Sequence, residues 1–147
     1  MSNQVTKSGR CLCGKVGVIA KAVNLEVHAC HCNMCRLWNG GPTLSVHCGA
    51  DVTFTNEEQI SVYKSCEWAE LGFCRNCGSH LFYRSIDNGE YIIQTGTFES
   101  GDDFVFNQQI FIDEKPAYYN FENETTDLTG AEVFAQYESK EYKSIYG

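Results

Sequence analysis

Apolar and polar residues alternate with a period of two along Leu25-Glu26-Val27-His28-Ala29 and Val52-Thr53-Phe54-Thr55. That is the pattern of a strand with one face buried and one in water. Runs rich in β-branched and aromatic residues recur at 15–20, 60–64, 81–84, 91–95 and 109–112. Short strands with frequent turns predict a mainly β fold of antiparallel sheets. Asp87-Asn88-Gly89, just ahead of Tyr91-Ile92-Ile93, predicts a hairpin, because Asn-Gly tolerates the positive φ of a type I′ turn.

A helical period emerges in two places only. Residues 32–38 can make one or two turns, with Cys32 and Cys35 on one face at i and i+3, before Asn39-Gly40-Gly41-Pro42 ends them. Further on, Thr129-Gly130-Ala131-Glu132 is a capping-box pattern followed by Val133, Phe134 and Tyr137 on one face, which predicts a packing helix over residues 130–138. No internal repeat, low-complexity stretch or linker interrupts the chain, so a single domain over residues 1–147 is expected. Asn123-Glu124-Thr125 matches a glycosylation sequon, a match frequent by chance.

Composition narrows the function classes. A 43% share of hydrophobic residues in 147 allows a core that needs no staples. The formal charge of -8 would repel a phosphate backbone, which argues against non-specific nucleic-acid binding. No apolar run approaches the roughly 20 residues of a spanning helix, and Met1-Ser2-Asn3-Gln4-Val5-Thr6-Lys7 has no apolar core for a signal peptide. A soluble, cytoplasmic chain without a membrane partner is the expectation.

Nine cysteines change the picture most. They fall into Cys11-Leu12-Cys13, Cys30-His31-Cys32-Asn33-Met34-Cys35 and Cys74-Arg75-Asn76-Cys77, leaving Cys48 and Cys66 alone. Disulfides fit poorly: the total is odd, two cysteines one residue apart close a strained ring, and the expected compartment is reducing. Metal ligation is the leading reading. Structural zinc takes four ligands, commonly from two short chelating loops. Cys11/Cys13 and Cys74/Cys77 read as those halves, since each runs into a glycine, Gly14 and Gly78, that can turn through positive φ and aim backbone N–H groups at sulfur. The metal would close a long loop and stabilise the fold.

Cys30, Cys32 and Cys35 offer three ligands and no evident fourth, which is how catalytic zinc is held. His28 or His31 as fourth ligand would close this site and make it structural. Geometry weighs against His31, which sits between two ligating residues, while His28 on the preceding strand stays open. Cys48 and Cys66 are expected to pack as small hydrophobes. His47 and His80 read first as hydrogen-bonded structural histidines, and Trp38 and Trp68 as core or pocket wall. Glu70, Glu99, Asp102 and Asp103 read as solvated carboxylates before general bases.

The order and spacing of these motifs match a known family. Gly9-Arg10-Cys11-Leu12-Cys13-Gly14-Lys15-Val16, then Cys30-His31-Cys32-Asn33-Met34-Cys35-Arg36, then Gly72-Phe73-Cys74-Arg75-Asn76-Cys77-Gly78-Ser79 closely resemble the glutathione-dependent formaldehyde-activating (GFA) family. The resemblance runs from about Gly9 to Tyr119, and Gly96-Thr97-Phe98-Glu99 and Gln109-Ile110-Phe111-Ile112 look like the family's later strands. Many members have Asp where this chain has Glu99. The resemblance implies tent-like antiparallel sheets around a structural zinc on Cys11, Cys13, Cys74 and Cys77. It also implies a second, catalytic zinc on Cys30, Cys32 and Cys35, so two zinc ions per chain. Its namesake activity is formation of S-hydroxymethylglutathione from formaldehyde and glutathione, a carbon–sulfur lyase reaction run in reverse.

Ligand chemistry points the same way. Three thiolates leave Zn²⁺ with a net charge of about -1, a weaker Lewis acid toward water than zinc on three neutral imidazoles. That soft centre suits a fourth sulfur, so an incoming small-molecule thiol such as glutathione would lose its proton and be held beside an electrophilic carbon. Arg36 and Arg75 directly follow ligand cysteines and are candidates to pair with substrate carboxylates, or to neutralise thiolate charge. Two other classes compete: a non-catalytic zinc-scaffolded binding protein, and a redox sensor whose exposed thiolates release zinc on oxidation.

Overall fold

A computed structural model describes residues 4–138, with side chains through Gln136. In chain order the elements begin with strands β1 (Gln4–Arg10), β2 (Gly17–Asn24) and β3 (Glu26–Cys30), helix α1 (Asn33–Asn39), β4 (Thr43–Gly49) and β5 (Val52–Phe54). There follow β6 (Ile60–Cys66), β7 (Ala69–Cys74), β8 (His80–Ser85), β9 (Tyr91–Gln94), β10 (Val105–Ile110), β11 (Thr126–Leu128) and helix α2 (Gly130–Glu138). One sheet has the order β1-β2-β5 and the other β11-β10-β3-β4-β9-β8-β7-β6, and neither closes into a barrel. The fold is mainly β with two short helices, as the sequence pattern predicts.

The larger sheet is mixed. β10 pairs in parallel with both β3 and β11, whereas the remaining ladders are antiparallel. Parallel neighbours need a long crossover, and β4 through β9 supply it between β3 and β10. The core lies between the sheets: Val18, Ala20 and Val23 of β2 and Val46 and Cys48 of β4 are buried in one cluster with Leu81, Phe82 and Ile93. Beneath α2, a second cluster joins Cys30, Ile110, Phe111 and Val133.

Local chemistry accounts for the element ends. At α1 the Cys32 side chain caps the helix by accepting from the Cys35 N–H at 3.4 Å, so the helix begins one residue later than its sequence signal. The capping box of α2 forms reciprocally: the Glu132 N–H donates to Thr129 Oγ1 at 3.1 Å, and the Thr129 N–H to Glu132 Oε1 at 2.8 Å. Val133 is buried, Phe134 is half exposed, and the side chain of Tyr137 lies outside the described residues. The β8–β9 hairpin exists, but not on a type I′ turn. Gly89 alone there has positive φ, and its N–H reaches back to Ser85 O at 2.9 Å across a longer loop.

Candidate metal centres

Two hairpin turns build the first site. Cys11 and Cys13 lie in the turn between β1 and β2, Cys74 ends β7 and Cys77 lies in the turn that leads to β8, so the four sulfurs tie one sheet to the other. All four ligand atoms lie within 4.8 Å of one another, with Cys11 Sγ to Cys13 Sγ at 3.6 Å and Cys13 Sγ to Cys74 Sγ at 3.8 Å. A tetrahedral ion with metal–sulfur bonds of about 2.3 Å sets its sulfurs about 3.8 Å apart, and these two separations are of that size. No disulfide forms among the nine cysteines.

The turns are shaped for this. Gly14 and Gly78 take φ of 82° and 81°, the left-handed region that the Cys-Gly pattern predicts, and their N–H groups close onto Cys11 O and Cys74 O. Backbone N–H groups also meet sulfur, from Val16 to Cys11 Sγ at 3.3 Å and from Cys77 to Cys74 Sγ at 3.5 Å. Ser79 stitches the two turns: its Oγ accepts from the Leu12 N–H at 2.9 Å and lies 3.2 Å from Cys77 Sγ. That hydroxyl holds the Cys77 thiol down to about 5, with backbone N–H groups adding to it.

The second cluster is local. Cys30 ends β3, Cys32 caps α1 and Cys35 lies in its first turn, and their sulfurs again lie within 4.8 Å of one another. Hydrogen bonds from Cys30 and then Cys35 hold the Cys32 thiol down to about 3, while the same bond to Cys32 pushes Cys30 well up. Three thiols this close repel one another as anions, so one ionises at the expense of the others. A bound cation is what would let all three become thiolates, and in that sense the trio fits a metal.

Neither neighbouring histidine belongs to this donor set. His31 is fully buried, its Nε2–H donating to Gln109 Oε1 at 2.8 Å and its Nδ1 accepting from the Tyr119 hydroxyl at 2.8 Å. Both ring nitrogens are thereby committed, and His31 turns away from the sulfurs flanking it. Burial holds His31 below its ordinary value, in keeping with a neutral ring. His28 faces the same space as Cys30, its ring centroid 5.1 Å from that of His47, and burial followed by that second histidine drives it well below its ordinary value.

Cys30, Cys32 and Cys35 all line a chamber of about 420 Å³. Trp38 and Trp68 are pocket wall, and Trp38 also stacks on His80 with centroids 4.0 Å apart. Cys48 packs as expected, fully buried, its thiol pushed up to about 12 by burial. Cys66 differs: it is half-buried on the chamber wall. Arg36 donates Nε to His31 O at 2.9 Å, Arg75 is exposed beside the first cluster, and neither lines the chamber. Glu70 pairs with Arg84 and Asp103 with Lys7, while Glu99 and Asp102 are exposed. His80 bonds Asn39 Oδ1 at 2.7 Å, and His47 is held down to about 4 by burial.

Sequence reasoning missed the residues that complete the site. Gln109 and Tyr119 fix His31, and Tyr83 carries a buried hydroxyl without a partner on the chamber wall. No local signal marks them, since β8, β10 and the segment before β11 reach the site only through sheet pairing.

Comparison with known proteins agrees with this geometry. Residues 6–114 match the family model described as glutathione-dependent formaldehyde-activating enzyme. A protein of Schizosaccharomyces pombe named as an uncharacterized lyase is 33% identical over 127 residues, covering 85% of this chain and 92% of that one. A crystal structure of a Rhodobacter sphaeroides protein shares the fold, with a TM-score of 0.55 and 23% identity, covering 63% of this chain and 88% of that chain. Among the described residues no helix is long and apolar enough to cross a membrane. With its three cysteine motifs inside the matched span, this chain belongs to the GFA family.

Proposed function

We propose that the protein is a zinc-dependent carbon–sulfur lyase-like enzyme that makes or breaks a small thiol adduct, S-hydroxymethylglutathione being the family's namesake. Cys11, Cys13, Cys74 and Cys77 would hold a structural zinc, and Cys30, Cys32 and Cys35 a second, catalytic one. The observation that carries the reading is that the three-sulfur cluster lines a chamber while His31 is committed elsewhere, so a fourth position is left to a ligand from the chamber. When bound there, zinc supplies a soft centre at which an incoming thiol is held as its thiolate.

The chain's own residues do the rest. Cys32, as cap of α1, and Cys35 in its first turn seat two of the three sulfurs on one short helix beside the end of β3, and Arg36 ties that helix to the His31 carbonyl. The mostly apolar wall of the chamber offers water few partners there. Arg36 and Arg75 lie off the chamber wall, so the role left to them is the other one their positions allow, neutralising thiolate charge beside the ligand cysteines. In the lyase direction the carbon–sulfur bond breaks, the adduct's hydroxyl loses its proton to become a carbonyl, and the sulfur leaves as thiol.

A Cys32→Ser variant tests this. Folding should survive, one zinc should be lost and formaldehyde–glutathione exchange should stop, measured by circular dichroism, metal analysis and exchange NMR on one sample. Exchange no faster than the uncatalysed rate in the unmutated zinc-loaded protein would sink the formaldehyde reading and put a zinc-scaffolded binding protein ahead.

A further inference from the structure

The chamber beside Cys30, Cys32 and Cys35 is apolar where glutathione is charged. Trp38, Trp68, Leu71, Phe82, Ile92 and Phe111 make up much of its wall. Among the described lining residues there is no Lys or Arg, and the one carboxylate, Glu114, accepts from the Asn33 N–H at 2.8 Å. The one histidine on the wall is His28, whose ring lies 5.1 Å, centroid to centroid, from that of His47. Glutathione would bring two carboxylates and an ammonium against this surface with no cation to receive the carboxylates, a desolvation that goes unpaid. Formaldehyde would leave most of the space unfilled: a cavity of about 150 Å³ already takes benzene, and this one measures about 420 Å³.

One polar group on the wall lacks a partner. The Tyr83 hydroxyl is buried and makes no hydrogen bond. A tyrosine hydroxyl is un-ionised at neutral pH and can donate to an incoming carbonyl oxygen. An unpaired buried donor is unfavourable, and a shift of the Tyr83 side chain that brings its hydroxyl to a substrate oxygen would relieve it.

Resting on the thiol-adduct reading of the same site, we infer that the electrophile is an uncharged aldehyde with a ring-sized apolar substituent. The substituent lies against Trp38 and Trp68, and the Tyr83 hydroxyl donates to the carbonyl oxygen. The thiolate sulfur attacks the carbonyl carbon, a carbon–sulfur bond forms, and the π pair moves onto oxygen. That oxygen gains the proton the thiol gave up on binding, which yields a neutral thiohemiacetal with no oxidant or reductant involved. Cleavage is the same path reversed.

The test compares benzaldehyde with 2-mercaptoethanol against formaldehyde with glutathione on the zinc-loaded protein, by magnetisation-transfer NMR. The benzaldehyde pair should show a kcat/KM at least tenfold higher. Equal or better catalysis of the formaldehyde–glutathione pair overturns the inference and leaves the thiol-adduct reading intact, whereas no catalysis of either pair overturns that reading. Binding separates the cases further, because the chain has two tryptophans and both line the chamber. Benzyl alcohol, without any thiol, should change their fluorescence saturably, and a linear or absent response counts against an apolar occupant. Tyr83→Phe should lower benzaldehyde exchange about 100-fold while Tm holds or rises, since no hydrogen bond is lost. Unchanged exchange, or a fall in Tm that accounts for the lost exchange, would remove Tyr83 from the proposal.

Discussion

The two cysteine clusters use one ligand chemistry in opposite surroundings. The first draws its sulfurs from turns in two different sheets, with Cys13 and Cys74 61 residues apart, buries Cys11 and Cys74, and is wrapped by backbone N–H groups and Ser79. The second takes all three sulfurs from one strand end and one helix turn, closes no long loop, and lines a chamber. Where the chain closes through a cluster, a bound metal would serve stability; where a cluster leaves a side on a cavity, a bound metal would be free for chemistry. That division is a claim about energies, and substitutions can break it.

The largest effect should come from Cys74→Ser. On the proposed zinc assignment, binding at the first cluster is folding free energy, about 10–16 kcal/mol in small zinc domains, against a whole-domain stability of about 5–15 kcal/mol. Loss of one ligand should therefore cost both a zinc equivalent and the cooperative thermal transition, whereas Cys32→Ser at the second cluster keeps the transition. A Cys74→Ser protein that melts at the unmutated Tm would erase the difference between the clusters.

Ser79→Ala probes the same contrast more gently. It removes the oxygen that the Leu12 N–H and Cys77 Sγ share, a cross-link between the two hairpin turns, without touching a ligand. Partners of metal ligands are typically worth 10–100-fold in affinity. Because Leu12 is exposed and water can replace the lost bond, the low end is expected: about tenfold weaker zinc at the first cluster and about 1 kcal/mol of stability. Competition with a chromophoric chelator should show only one of two zinc equivalents affected. Weakening of both would mean that the clusters are not independent.

How much of this was legible in the sequence follows from what is local. The Cys-Gly turns, the Cys32–Cys35 helix face and the Thr129–Glu132 box each sit within a few residues, and each forms. β4 was not readable, because it lies between β3 and β9 with Ser45, Val46 and Cys48 all buried, and a strand covered on both faces does not alternate. β1 was missed for the opposite reason. Its sequence is polar, and the residue that anchors it is Lys7, whose ammonium reaches Asp103 Oδ1 and Ser100 O, each at 2.8 Å, from a buried stem. The parallel seating of β10 has no local signature, so the contribution of Gln109 to the site was out of reach.

The smallest effect on metal should come from Cys48→Ala and Cys66→Ala, and here the two lone cysteines part company. Cys48 is fully buried in the core of the two sheets, so losing its sulfur leaves a small void and should lower stability by about 1 kcal/mol. Cys66 is half-buried on the chamber wall, where the space left by the sulfur is open to solvent or ligand, so the cost should stay within about 0.5 kcal/mol. Neither belongs to a cluster of donor atoms within 4.8 Å. Both variants should therefore retain the full zinc content of the unmutated protein when metal analysis and thermal melts are run side by side. Loss of zinc from Cys66→Ala would show that the chamber supplies a fourth protein sulfur to Cys30, Cys32 and Cys35, making the second site closed like the first.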